Sequence, residues 1–175
     1  TIEIHYQLFP IQDLAFRTIL MFESRLEKRN ITLEGLDSEP VQVWGDPDLI
    51  GQVIYNLFEN ATKFVNTGGT ITFTFKDEPN NTSIAIRNTG AGISKEELPK
   101  IFERFYKSDD SRSHDKTGLG IGLDITKHIV RLHKARISVS SEEGEYTEFL
   151  IRLPKKDAPA ESPTENPEKQ PKDAR

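Results

Sequence analysis

The sequence predicts an α+β fold: a two-layer sandwich whose mixed, mostly antiparallel sheet is covered on one face by about three helices. Three observations carry that expectation. Segments of helical period and segments of alternating period interleave along residues 11–153. Strand-like runs come in adjacent pairs, which favours antiparallel neighbours over the long crossovers of a parallel sheet. The chain has 175 residues, 35% of them hydrophobic, which suits one domain with a substantial core.

Each element has its own signal. Residues 11–28 set Ile11, Leu14, Ala15, Ile19, Phe22 and Leu26 at helical spacing. ITLEGL and VQVW look like short strands. Asp46-Pro47 opens a helix with Pro47 at its first position, running to about Phe64. TITFTF (70–75) and SIAIRN (83–88) are strands joined through Pro79-Asn80-Asn81. In "IRNTGAGISKEEL" a strand breaks on two glycines and runs into Ser94-Lys95-Glu96-Glu97, a capping box. The helix it opens, near 95–101, carries Pro99 and should be short or kinked. Residues 103–117 are polar without a period and read as a mobile loop. A helix from about 119 to 134 follows, and ISVSS and EFLIRL close the fold as strands.

The two ends differ from this. Residues 1–10 read as a linker from a missing upstream region. Residues 154–175 hold five of the ten prolines and no aromatic or large aliphatic residue, so they read as a disordered Pro-rich tail. Formal net charge is -5, with 28 acidic against 23 basic residues, which offers no general attraction to nucleic acid. The absence of cysteine excludes disulfides and thiolate metal sites. No apolar run approaches the ~20 residues of a membrane span, and TIEIHYQLFP is no signal peptide. The composition is that of an acidic, soluble, intracellular-type domain.

Three segments point to one ligand. In PDLIGQVIYNLFENATKF, the residues Leu49, Ile50, Val53, Ile54, Leu57, Ala61 and Phe64 form a broad apolar face. Asn56, Asn60 and Lys63 stack beside it at i, i+4, i+7. The stripe also fits a solvated helix side, but asparagine is a poor helix former. An amide oxygen can ligate a hard cation and an ammonium can meet a phosphate. In Thr117-Gly118-Leu119-Gly120-Ile121-Gly122, three alternate glycines open a helix whose N-terminus suits an anion. A hinge is the alternative, at about 0.5–1 kcal/mol per glycine inside a helix. The third segment is Asn88 at a strand end with Gly90 and Gly92 beyond it: a plain turn, or the edge of a base-binding pocket.

Taken together, "NLFENATKF", "NTGAGI", "IFERFY" and "TGLGIGL" resemble the N box, first glycine box, phenylalanine box and second glycine box of sensor histidine kinases. The resemblance, over roughly residues 8–153, is to their ATP-binding catalytic domain, which shares the GHKL or Bergerat fold with the gyrase and Hsp90 ATPases. It implies that Asn60, with Asn56, binds Mg²⁺ bridging the phosphates, and that Lys63 reaches a phosphate. Asn88, where the family usually has aspartate, would hold the adenine, with Gly90, Gly92 and Ile93 alongside. A neutral acceptor there should weaken adenine binding without abolishing it. Phe102 and Phe105 would anchor a lid over about 94–117. Tyr106, Lys107, Arg112, Thr117, Gly118, Leu119, Gly120 and Gly122 would line the nucleotide. Glu59 could polarise an incoming imidazole; an ordinary exposed glutamate is the alternative.

The match departs from the family at His133-Lys134-Ala135, where His-Gly-Gly is usual, and at Glu145-Tyr146-Thr147-Glu148-Phe149, the stretch of the Gly-x-Gly-Thr-x-Phe pattern. Both changes should affect local stability more than function. None of His5, His114, His128 and His133 has the context of a phosphoacceptor; His128 and His133 read as helix-face residues. The resemblance therefore implies a monomeric catalytic domain, with Asn56, Lys63 and Glu59 as its catalytic group. It would take ATP and Mg²⁺ and phosphorylate a histidine on a separate dimerisation hairpin, and through it a response regulator. It would be the cytoplasmic part of a membrane-anchored sensor, without membrane contact of its own. A nucleotide-sensing module without transfer, or a serine kinase or anti-sigma factor on the same fold, are the alternatives.

Overall fold

The computed structural model describes residues 2–102 and 119–159. Strand β1 (Gln7–Pro10) leads into helices α1 (Ile11–Met21) and α2 (Glu23–Lys28). Strands β2 (Thr32–Glu34) and β3 (Gln42–Gly45) precede the long helix α3 (Pro47–Phe64). The hairpin β4 (Thr70–Asp77) and β5 (Asn81–Thr89) follows, then helix α4 (Leu119–Leu132) and the hairpin β6 (Arg136–Glu142) and β7 (Tyr146–Pro154). Five strands form a sheet in the order β2-β4-β5-β7-β6, parallel only between β2 and β4. The expected mixed, mostly antiparallel sheet with helices α1, α3 and α4 over it is what forms.

Two local expectations need correction, and a third is met in its shortest form. The helical period over 11–28 breaks at Phe22, whose φ of -111° and ψ of 7° separate α1 from α2. Phe22 is pinned there by the core, edge-on to Phe58 at 5.4 Å and against Tyr55 at 5.4 Å. The helix expected near 95–101 to be short or kinked is one 3-10 turn, Leu98–Lys100, which no side chain caps; Ser94 Oγ accepts from the Glu97 amide at 3.2 Å just ahead of it. Pro99 lacks the amide a longer helix would need. Within the expected linker, Gln7–Pro10 pairs antiparallel with β3, Leu8 opposite Trp44. Most of the Pro-rich tail expected over 154–175, residues 160–175, lies outside the described residues.

Helix α3 is the centre of the molecule. Asp46 caps it, Oδ1 accepting from the amides of Asp48 at 3.0 Å and Leu49 at 3.2 Å, and Pro47 takes the first turn where no amide partner is needed. At the other end the Arg29 guanidinium donates to the carbonyls of Thr62 and Val65, groups a helix C-terminus leaves unpaired. Ile50, Val53, Ile54, Leu57 and Ala61 are buried as the period predicts, whereas Phe64 is 37% exposed. Phe58, off that stripe, is fully buried. It stacks on Phe73 of β4 at 5.6 Å and meets Phe22, at the end of α1, at 5.4 Å, so a second side of α3 is covered. Burying a phenylalanine contributes on the order of 1.5–3 kcal/mol. The inner sheet face continues as Ile71, Ile84, Ile86, Phe149, Ile151 and Leu153.

Candidate nucleotide site

The C-terminal half of α3 is where the three segments meet. Asn56 Nδ2 lies 3.4 Å from both the Gly122 carbonyl and Thr126 Oγ1, so it ties α3 to the first turns of α4. Its Oδ1 accepts from Gln52 Nε2 at 2.9 Å. One helical turn on, Asn60 is 7% exposed and its Nδ2 has no hydrogen-bond partner among the described residues. Such a group costs roughly 1–3 kcal/mol, so its retention calls for a partner beyond the described residues. Lys63 pairs with Glu59 at 3.4 Å along the same stripe, both partly exposed.

The stretch 88–93 joins from the sheet. Asn88 ends the buried alternation Ile84, Ile86, Asn88 on β5. Its Nδ2 donates to the Thr89 carbonyl at 2.9 Å, leaving Oδ1 as the acceptor. Val65 forms an isolated bridge with Gly90, and a Cβ on Gly90 would lie 2.3 Å from the Phe64 carbonyl oxygen. Gly92, at φ +70°, would place a Cβ 2.5 Å from the Glu142 oxygen. Close backbone approach to α3 and β6 thus requires both glycines without any ligand. Their packing is what seats Asn88 next to the end of α3. Ile93 donates its amide to Ser141 Oγ at 2.7 Å, which fixes the exit of the stretch on β6.

Thr126 and His133 hold the helices together here. Thr126, fully buried, bonds Asn56; its only sequence signal is its place one turn beyond Gly122 on the buried side of α4. His133, read as a helix-face residue, is 3% exposed, and its Nε2 accepts from the Asp46 amide at 3.1 Å. The turn after it is made by Lys134 at φ 54°, where glycine would be unstrained. His128 is exposed. Leu119 and Gly120 open α4. Phe105, Tyr106, Lys107, Arg112, His114, Thr117 and Gly118, with most of the expected lid, lie outside the described residues. Phe102, at the lid's start, packs edge-on to Phe149 at 6.2 Å.

A family model described as histidine kinase-, DNA gyrase B-, and HSP90-like ATPase matches residues 45–157. That span is most of the chain and holds α3, the 88–93 stretch and α4. The chain belongs to this ATPase family. The ATPase domain is 41% identical over 115 residues to Sensor protein SrrB of Staphylococcus aureus, a match covering 65% of this chain and 20% of SrrB. It thus spans about a fifth of the length of the curated relatives it matches. Among solved structures, the nucleotide-free catalytic domain of histidine kinase ThkA aligns with TM-score 0.71 at 27% identity, over 86% of this chain and 97% of that one. ThkA in complex with response regulator protein TrrA aligns with TM-score 0.72 at 26% identity, over 87% of this chain and 42% of that one. Full-length ShkA in complex with AMPPNP shares the fold, TM-score 0.76 at 22% identity, over 91% of this chain and 33% of that one. The α+β fold is that of histidine kinase catalytic domains. Among the described residues no helix is long and apolar enough to cross a membrane.

Proposed function

We propose that the domain binds Mg-ATP and donates the γ-phosphoryl group to a histidine on a separate dimerisation hairpin of a two-component sensor kinase. The observation that carries this reading is the Nδ2 of Asn60, unpartnered among the described residues and buried beside the Asn56 tie to α4. A buried N–H donor is complementary to a phosphate oxygen, and rotation of the amide presents Oδ1 to a hard cation. The residues therefore fit a magnesium–triphosphate group, which would neutralise the charge that develops on the transferred phosphoryl. Asn60 would bind it, with Asn56 held in place by Gln52 and Thr126. Lys63 would release Glu59 to meet a phosphate, freeing the carboxylate for the imidazole. Asn88 Oδ1, its amide nitrogen engaged on Thr89, would accept from the adenine amino group. Gly90, Gly92 and Ile93 hold that edge, and the α4 N-terminus at Gly120 and Gly122 would face the phosphates. Phe105, Tyr106, Lys107, Arg112, Thr117, Leu119 and Gly118 keep the roles the family resemblance implies.

Such positioning and charge compensation is most of what phosphoryl transfer needs, so no general base is assigned. Transfer would pass from the hairpin to a response regulator, in the cytoplasmic part of a membrane-anchored sensor. The test is calorimetric titration with ATP, with and without Mg²⁺, on the wild type and Asn60→Ala. Binding in the micromolar range, about -7 to -8 kcal/mol, lost in the variant and weakened without Mg²⁺, is the expected result. Incubation with the parent's hairpin should then yield an acid-labile phosphate. A protein that binds ATP but leaves the hairpin unlabelled is the non-transferring nucleotide module instead.

A further inference from the structure

A second polar cluster lies at the opposite end of α3, outside the nucleotide site. His133 Nδ1 donates to the Ile129 carbonyl at 2.9 Å, so the unprotonated Nε2 faces the Asp46 amide at 3.1 Å. The ring lies flat enough against the chain that a Cβ on Gly45 would sit 3.2 Å from its Cδ2. Asp46 caps α3 with Oδ1 and takes the His5 amide on Oδ2 at 3.0 Å. Tyr6 meets the His133 ring edge-on at 5.6 Å and stacks on Trp44 at 5.4 Å. Lys156 Nζ lies 4.9 Å from the centre of the Trp44 ring. Residues 5–10 thus form a strap seated on the start of α3 and the end of α4.

We propose that this joint positions the nucleotide site: His133 couples the seating of the strap to Asn56 and Asn60 through the paired helices. The inference rests on the nucleotide reading above. The helices are tied at two places, His133 to Asp46 at one end and Gly122 with Thr126 to Asn56 at the other. Ten residues separate the ties on α3 (56 less 46) and eleven on α4 (133 less 122). Two helices of matched length pinned at both ends move as one body, so a shift at the strap is delivered to the phosphate end, ~21 Å from Asp46 to Asn60 along α3. The cluster is unusually demanding for a remote surface. It sets the His133 ring tightly against Gly45, fixes the histidine tautomer, and shares one carboxylate between a helix cap and the strap. His133 is a positioning residue, acting through Asp46.

Trp44 is the chain's single tryptophan, so its emission reports the joint directly. Coupling is reciprocal: if the strap biases nucleotide affinity, the nucleotide must bias the strap by the same factor. The experiment titrates Mg-ATP into the full chain while recording Trp44 fluorescence and, in parallel, calorimetric heat. Wild type should show a saturable change in emission with the calorimetric midpoint. His133→Phe, which keeps the ring but offers no acceptor, should bind on the order of five-fold more weakly with no Trp44 response. His133→Gln, able to accept from Asp46, should restore both. Tyr6→Ala, at a half-exposed position that leaves the core intact, should weaken binding to a similar degree. Binding in wild type with an unresponsive Trp44, or variants that bind ATP as wild type does, would overturn the coupling alone. No heat at all in wild type would sink the nucleotide reading, and the coupling with it.

Discussion

The buried amide of Asn60 separates stability from function at a single atom. Its Nδ2 is buried and unpartnered among the described residues, so Asn60→Ala should leave the melting temperature unchanged or slightly raised while removing at least tenfold of Mg-ATP affinity. Differential scanning calorimetry paired with titration reads both, and a fall in stability would mean the amide has a partner inside the fold. Asn88 makes the opposite trade. Its nitrogen holds the Thr89 carbonyl, so Asn88→Asp gives up that bond and sets a carboxylate beside an oxygen, at a cost of about 1–3 kcal/mol. The charged acceptor should nonetheless tighten ATP binding severalfold, since charge-assisted bonds are about twice as strong. A variant that is less stable when free yet binds more tightly is the expected pair of results.

Among elements, α3 depends most on its N-terminus. Burial raises the Asp46 carboxyl pKa, but the amides of His5, Leu49 and Asp48 and the nearby His133 outweigh it, leaving the group below its ordinary value. A carboxylate lowered in the folded state stabilises the protein fully above its unfolded value of about 3.9, and that contribution is lost as pH falls through the folded value. The urea midpoint should therefore drop on acidification below about pH 4 more steeply in wild type than in Asp46→Asn. Asn can still cap, so equal slopes would show that another carboxylate carries the acid sensitivity. The link between α3 and β5 is equally specific. Gly90→Ala would press a methyl on the Phe64 carbonyl at φ +147°, and should destabilise by more than about 1 kcal/mol in denaturant unfolding.

At the scale of the whole molecule, one core joins sheet and helices, so a ligand held by α3, β5 and α4 should stabilise all of it together. With Mg-ATP at a hundredfold excess over Kd the gain is about 2.7 kcal/mol, roughly a 5–11 °C rise in melting temperature for a domain of this size. A single cooperative transition should shift by that amount in a thermal scan, and Asn60→Ala should remove the shift.

The periods of residues 47–64, 70–75, 83–88 and 119–132 and the Asp46-Pro47 start were readable because burial on one face imposes them locally. So were the asparagine stripe and the glycine-rich opening of α4, where a residue type unfavourable to a helix stands out against its surroundings. What remained hidden depends on contacts distant in the chain. Phe58 is buried because α3 has a neighbour on each side, and β1 exists only because β3 lies beside it. The break at Phe22 follows from aromatic packing that no local rule anticipates. The glycines at 90 and 92 are legible as glycines, but only tertiary structure shows that the α3 and β6 backbones, not a nucleotide, exclude a side chain there. His133 looked like a helix-face residue until Asp46, 87 positions earlier, supplied its partner. The sequence by itself determined the elements and the candidate phosphate-binding chemistry. The tertiary structure decided which asparagine is left unpaired among the described residues and what holds the two helices around it, because hydrogen-bond satisfaction is a property of the assembled interior.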